Sequence, residues 1–127
     1  LTDAINIKSA FIINLGVDFD IIPRPNFNSN EVLLRAIAKL KILMSNEKMQ
    51  INGPINISSL VNALDLVEGV QSIINFKFHC KSGGSYSNNK YSVEAAIKNN
   101  ILYPSLDPSI FEIKYPDNDI RARIIKP

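Results

Sequence analysis

An alternation of apolar and polar residues near the amino terminus sets the strongest limit on what this chain can fold into. From Ile7 to Ile21 the odd positions are mostly apolar (Ile7, Phe11, Ile13, Leu15, Val17, Phe19, Ile21), while the even ones include Lys8, Asn14, Asp18 and Asp20. Successive side chains on a strand point to opposite faces, so a period of two marks a long, half-buried strand. Pro23 and Pro25 remove backbone donors, and pairing is expected to stop there. A second alternation predicts a second strand, with Val70, Ser72, Ile74, Phe76, Phe78 and Cys80 on one face against Gln71, Asn75, Lys77, His79 and Lys81 on the other.

Two helices fall between these strands. Asn28 stands as a cap with Glu31 three residues on, and Phe27 and Val32 are spaced as a hydrophobic staple. A helix from Ser29 to Met44 follows, with Leu33, Ala36, Ile37, Leu40 and Met44 as its buried stripe and Glu31, Arg35 and Lys39 spaced by four on the other side. Gly53 and Pro54 break the chain. Ser58 is the expected cap of a shorter helix burying Leu60, Val61, Ala63, Leu64 and Val67, which Gly69 ends in a left-handed conformation. A short strand is expected between them, near Met49 to Ile51.

Residues 82–127 read as a polar, mobile surface loop from Lys81 to Asn89, a short helix from Ser92 to Lys98, and a terminal hairpin. Its strands are Ile110 to Tyr115 and Ile120 to Ile125, joined through Pro116, Asp117, Asn118 and Asp119. With residues 1–81 as the strand-helix-helix-strand core, the expected fold is one α+β domain: a small mixed or antiparallel sheet with two main helices on one face, plus the C-terminal β-hairpin. Leu1 in place of Met suggests a C-terminal fragment of a longer protein.

Composition narrows the function classes. No apolar run approaches the roughly 18 residues of a membrane span. Fourteen Lys and Arg against twelve Asp and Glu give a formal charge of +2, too weak a basic balance to mark a nucleic-acid binder. The single cysteine, Cys80, cannot close an intrachain disulfide and points to a reducing compartment. His79 and Cys80 are adjacent on a strand, so they face opposite ways and cannot share a metal or nucleophile site. Gly83 and Gly84 lack the Gly-Lys-Ser/Thr ending of a phosphate cradle and read as a turn. Phe76 and Phe78 imitate the base-stacking rings of an RNA-binding sheet, but without its glycine and basic context they read as core. Asn56, Ile57 and Ser58 match a glycosylation acceptor, though a role at a helix start accounts for them better. No cofactor, metal or catalytic residue is expected, and the chain reads as a non-enzyme.

Two segments carry a resemblance. I-N-G-P-I-N-I-S-S-L-V-N-A-L-D-L-V-E-G-V-Q-S-I, from Ile51 to Ile73, resembles the C-terminal region of baseplate J-like proteins of contractile phage tails. L-D-P-S-I-F-E-I-K-Y-P-D-N-D-I-R-A-R-I, from Leu106 to Ile124, is more narrowly similar to the large baseplate wedge protein of contractile-tailed bacteriophages. The resemblance implies a structural subunit of a tail baseplate, assembled in the host bacterial cytoplasm. Its partners would be a second copy, in a homodimer or ring, and other wedge proteins, with neither nucleic acid nor membrane. The loop from Lys81 to Asn89 with Tyr86 and Tyr91, and the terminal segment with Arg121 and Arg123, are the expected interface residues. The alternatives are a ferredoxin-like module binding RNA or a small ligand, suggested by element order and Phe76 and Phe78, and a small hydrolase of similar architecture.

Overall fold

The computed structural model describes residues 11–45, 49, 52–105 and 108–126. The first alternation forms β1 (Phe11–Pro23), and its stretch before Phe11 lies outside the described residues. In chain order follow α1 (Ser29–Leu43), β2 (Ile55–Asn56), α2 (Ile57–Asp65), β3 (Val70–Lys81), α3 (Val93–Ala96), β4 (Ile97–Lys98), β5 (Ile101–Leu102), β6 (Ser109–Glu112), α4 (Pro116–Asp119) and β7 (Ile120–Ile124). The main sheet is mixed. Strand β3 runs antiparallel to β1 along one side, and β6 and β7 run parallel to it along the other. A small second sheet has the order β2-β5-β4. Met49 is in no strand, and Gln50 and Ile51 lie outside the described residues, so the first short strand observed is β2.

The expected terminal hairpin is not formed. Strand β6 pairs with Phe11 to Asn14 and β7 with Val17 to Ile21, so the two lie end to end along one side of β1, interrupted by the helical turn α4. Both segments are extended, as their apolar residues require, but their partner is the strand nearest the amino terminus. The turn-like composition of Pro116 to Asp119 serves an outward excursion from one edge instead of a reversal.

The odd positions of β1, Ile13 to Ile21, are buried against Val32, Ala36, Leu40 and Met44 of the α1 segment and Leu60 and Leu64 of α2. Apolar surface on one sheet face thus meets the apolar stripes of both helices, and the even positions form the opposite face. Helix α1 begins as expected, with Glu31 N–H donating to Asn28 Oδ1 at 3.2 Å. Helix α2 corrects the expectation. Its cap is Asn56, whose Oδ1 accepts from Ser59 N–H at 3.1 Å, because the helix starts one residue before Ser58. Gly69 is left-handed at φ 89°, but in the turn beyond the helix end at Asp65. An added Cβ there would lie 2.6 Å from Val32 Cγ2 and 2.9 Å from the Phe27 ring, so the staple pair packs directly on this glycine.

Strand β3 departs from its predicted faces. Between Asp18 and Asp20 of β1 the register shifts by one residue, opposite Asn75, whose φ of 55° is a left-handed value that Asn tolerates well. The bulge exchanges the faces of the preceding residues: Ile73 is 8% exposed and faces the helices, while Ile74, expected inside, is 36% exposed. A second shift between Ile22 and Pro23 returns Val70 to the core. Past the bulge the pattern holds. Phe76 lies against Phe19 with ring centroids 5.8 Å apart, and Phe78 is buried.

Leu40, in the last turn of α1, is fully buried in the core between helices and sheet. Leu40→Ala is expected to cost about 2–5 kcal/mol of unfolding free energy, measured by urea denaturation. A change under about 0.5 kcal/mol, the scale of an exposed site, would contradict this packing.

Candidate functional site

The open face of the sheet gathers most of the ionisable side chains that the strands contribute. Asp18 pairs with Lys77 on one side and Arg121 on the other, Asp20 pairs with Arg123, and Gly16 pairs with His79. Paired residues share a face, so a central column of carboxylates on β1 lies between Lys77, His79 and Lys81 of β3 and Arg121 and Arg123 of β7. The column is built. Asp20 accepts from Asn75 Nδ2 at 2.8 Å and from Arg123 Nε and Nη2, both at 3.2 Å. The Asn75 amide first, and the Arg123 guanidinium next, hold the Asp20 carboxyl below its ordinary range, and Asp20 in turn raises the Arg123 guanidinium. His79 lies across Gly16, where an added Cβ would fall 2.3 Å from Nε2, and its Nδ1 is 3.5 Å from Asp18 Oδ2. Glycine at this position gives the ring its place on the sheet.

One end of this face is closed by the polar loop after β3. Gly83 and Gly84 have φ of 82° and 57° and make the turn, with Tyr86 N–H donating to Gly83 O. No phosphate-binding strand-to-helix junction follows them. Ser87 N–H donates to the buried Asn14 Oδ1 at 2.7 Å, and Asn14 Nδ2 to Glu112 Oε1 at 2.7 Å. Lys114 Nζ donates to Ser85 O. The loop expected to be mobile is therefore fastened at several points.

The four expected interface residues divide into two kinds. Tyr86 donates to Asp119 Oδ1 at 2.7 Å and stacks edge-on against Tyr115 at 5.5 Å. Asp119 is buried and also accepts from Tyr115 N–H at 3.2 Å, so this pair joins the loop to the β6–β7 excursion. The Asp119 carboxylate, then burial, push the Tyr86 hydroxyl above its ordinary range. Tyr91 lies apart: its hydroxyl donates to Tyr103 O at 2.6 Å, and its ring is 6.0 Å from Phe111. Both tyrosines work inside the fold. Arg121 and Arg123 are exposed on the open face. Sequence reading separated the polar parities of β1 and β3 but did not unite them with the arginines, because the β1–β7 pairing bridges about a hundred residues.

His79 and Cys80 do face opposite ways, paired with Gly16 and Leu15 respectively. Phe76 and Phe78 face the helices, which keeps their rings from bases on the open face. Among the described residues no group of three His, Cys, Asp or Glu side chains is placed to hold a metal ion, and no helix is long and apolar enough to cross a membrane.

The Asp20 cluster gives a signed pH dependence. Its folded pKa lies below the ordinary 3.8, so its contribution is complete above that value and is lost as pH falls through the folded pKa. Arg123→Gln and Asn75→Gly, the latter keeping the left-handed backbone, are each expected to move acid unfolding to higher pH, followed by circular dichroism. In an Asp20→Asn background neither should move the midpoint further. Tyr86→Phe is expected to speed protease cleavage within residues 82–90, and to remove one of the tyrosines that titrate above the ordinary value of 10. Comparison of the chain with family models, curated proteins and solved structures returns no significant match.

Proposed function

We propose that this chain is a structural assembly module of a contractile-tail baseplate, joined by protein-protein contacts to a second copy and to neighbouring wedge subunits, and that it performs no covalent chemistry. The observation that supports this reading is the position of the segment whose sequence carries the resemblance read above. From Pro108 onward it forms β6, α4 and β7, pairs with Phe11 to Asn14 and Val17 to Ile21 along one side of the central strand, and presents Arg121 and Arg123 to solvent. Arginine is enriched where proteins meet, since its planar fork binds carboxylates with little further ordering. The opposite layer adds a second contact surface. Leu34 and Ile42 of α1, 65% and 59% exposed, are in line with exposed Ala38 between them, and Leu66 after α2 is 86% exposed. A domain with contact chemistry on both layers suits a subunit held between neighbours.

Sedimentation equilibrium tests this reading. The chain is expected to associate as concentration rises, and Arg121→Glu or Leu66→Asp to weaken association about tenfold or more. A monomer up to about 1 mM, unchanged by either substitution, would remove its support. The surrounding genome supplies a separate check: tail-structural genes are expected beside this one, and metabolic neighbours would overturn the assignment.

A further inference from the structure

Strand β3 ends the main sheet, and its outer edge has a definite polarity. Phe11 N–H and Ile21 O, both odd positions of β1, bond toward the β6–β7 side, through Pro108 O and Ile125 N–H. Arg24 N–H, an even position, bonds toward the β3 side at Gly69 O. The even residues of β1 therefore exchange hydrogen bonds with β3, namely Asn14 with Lys81, Gly16 with His79 and Asp18 with Lys77. Phe78 and Cys80, between those pairs, direct their amides and carbonyls outward, where no further strand among the described residues pairs with them. Before the bulge the edge is taken, because Asp65 Oδ1 accepts from Ile73 N–H at 3.0 Å.

The two flanks of this open stretch differ. On the open face stand Lys77, His79 and Lys81, with no acidic residue of β3 among them. On the helix side a groove of about 290 Å³ is lined by Ile57, Ser58, Val61 and Asn62 of α2, by Ile73 and Phe76 of β3, and by Asn100, so its wall mixes apolar and amide or hydroxyl groups. An added strand would place alternate side chains over the cations and the others on the groove side. A second copy of β3 does not fit. Any two-fold antiparallel pairing sets odd residues opposite odd residues, and so brings Lys77, His79 and Lys81 against one another. Edge lysines discourage such self-pairing while favouring an acidic partner.

We propose that the outer edge of β3 from Phe76 to Lys81 accepts an extended segment of another protein as an additional strand, with carboxylates facing Lys77, His79 and Lys81 and the alternate, uncharged residues on the side of the groove beside α2. This rests on the assembly reading only in taking another protein as the partner, and it names the surface and the chemistry. The test uses the native chain with two synthetic decapeptides, one alternating Glu with Val and the other alternating Lys with Val, read by amide hydrogen exchange. The Glu peptide is expected to slow exchange at Phe78 and Cys80 about tenfold or more, and the Lys peptide to leave it unchanged. The double substitution Lys77→Glu and Lys81→Glu should reverse that preference, and Lys77→Gln with Lys81→Gln should abolish it. Slowing by neither peptide, equal slowing by both, or slowing in the free chain that grows with its own concentration overturns the proposal. Failure here leaves the sedimentation result standing, so the two readings fail separately.

Discussion

A strand hydrogen-bonded along both edges and covered on one face has few free choices, and β1 is in that position. Its odd residues from Ile13 to Ile21 must be apolar to meet α1 and α2, and Asn14, Gly16, Asp18 and Asp20 on its other face must be compatible with neighbours on two sides. The rest of the molecule follows from satisfying it. Strand β3 supplies one ladder and β6 and β7 the other, and the helices shield the apolar face. Where Asn14 and Asp20 are buried on the polar face, each has acquired partners from distant parts of the chain. A buried polar group without such partners would cost about 1–3 kcal/mol, so these contacts select one register over its neighbours.

The bulge at Asn75 shows how this selection works. A regular strand from Val70 to Cys80 would bury Ile74 and expose Ile73, and its partner Asp20 would lose the Asn75 amide. Inserting one left-handed residue turns Ile73 inward and delivers that amide to the carboxylate. It also divides the outer edge of β3 into a closed half near Asp65 and an open half near Phe78. One local irregularity thus sets the packing of an isoleucine, the hydrogen bonding of an aspartate and the extent of an edge.

Much of the architecture was legible from period alone. The spacing of two in β1 and after Phe76 in β3, the spacing of three and four in α1, and the Asn28 cap were all written in adjacent residues. The α+β class followed from their order. What escaped was every feature decided by a distant partner. Extended segments at Ser109–Glu112 and Ile120–Ile124 look the same whether they pair with each other or with β1, and proximity in sequence favoured the hairpin. The face change at Asn75 has no signal beyond the residue's tolerance of positive φ. Asn56 outranked Ser58 as cap through a start two residues earlier, a margin that periodicity does not resolve. The open-face charge array is half visible in the sequence, since the polar alternations of β1 and β3 are local, but their junction with Arg121 and Arg123 depends on a parallel pairing that composition cannot reveal.

The split strand along β1 has a consequence for how the molecule comes into being. Phe11 to Ile21 is made before the residues that complete its second edge, which follow about a hundred positions later. Parallel pairing over so long a separation pays its loop-closure entropy before any contact rewards it. During synthesis an apolar strand therefore waits half-paired, bound on one side to β3 and bare on the other, at its most vulnerable to unwanted association. Strands β6 and β7 act as a closing seam, and their arrival, more than the formation of either helix, marks the moment at which β1 has both edges covered.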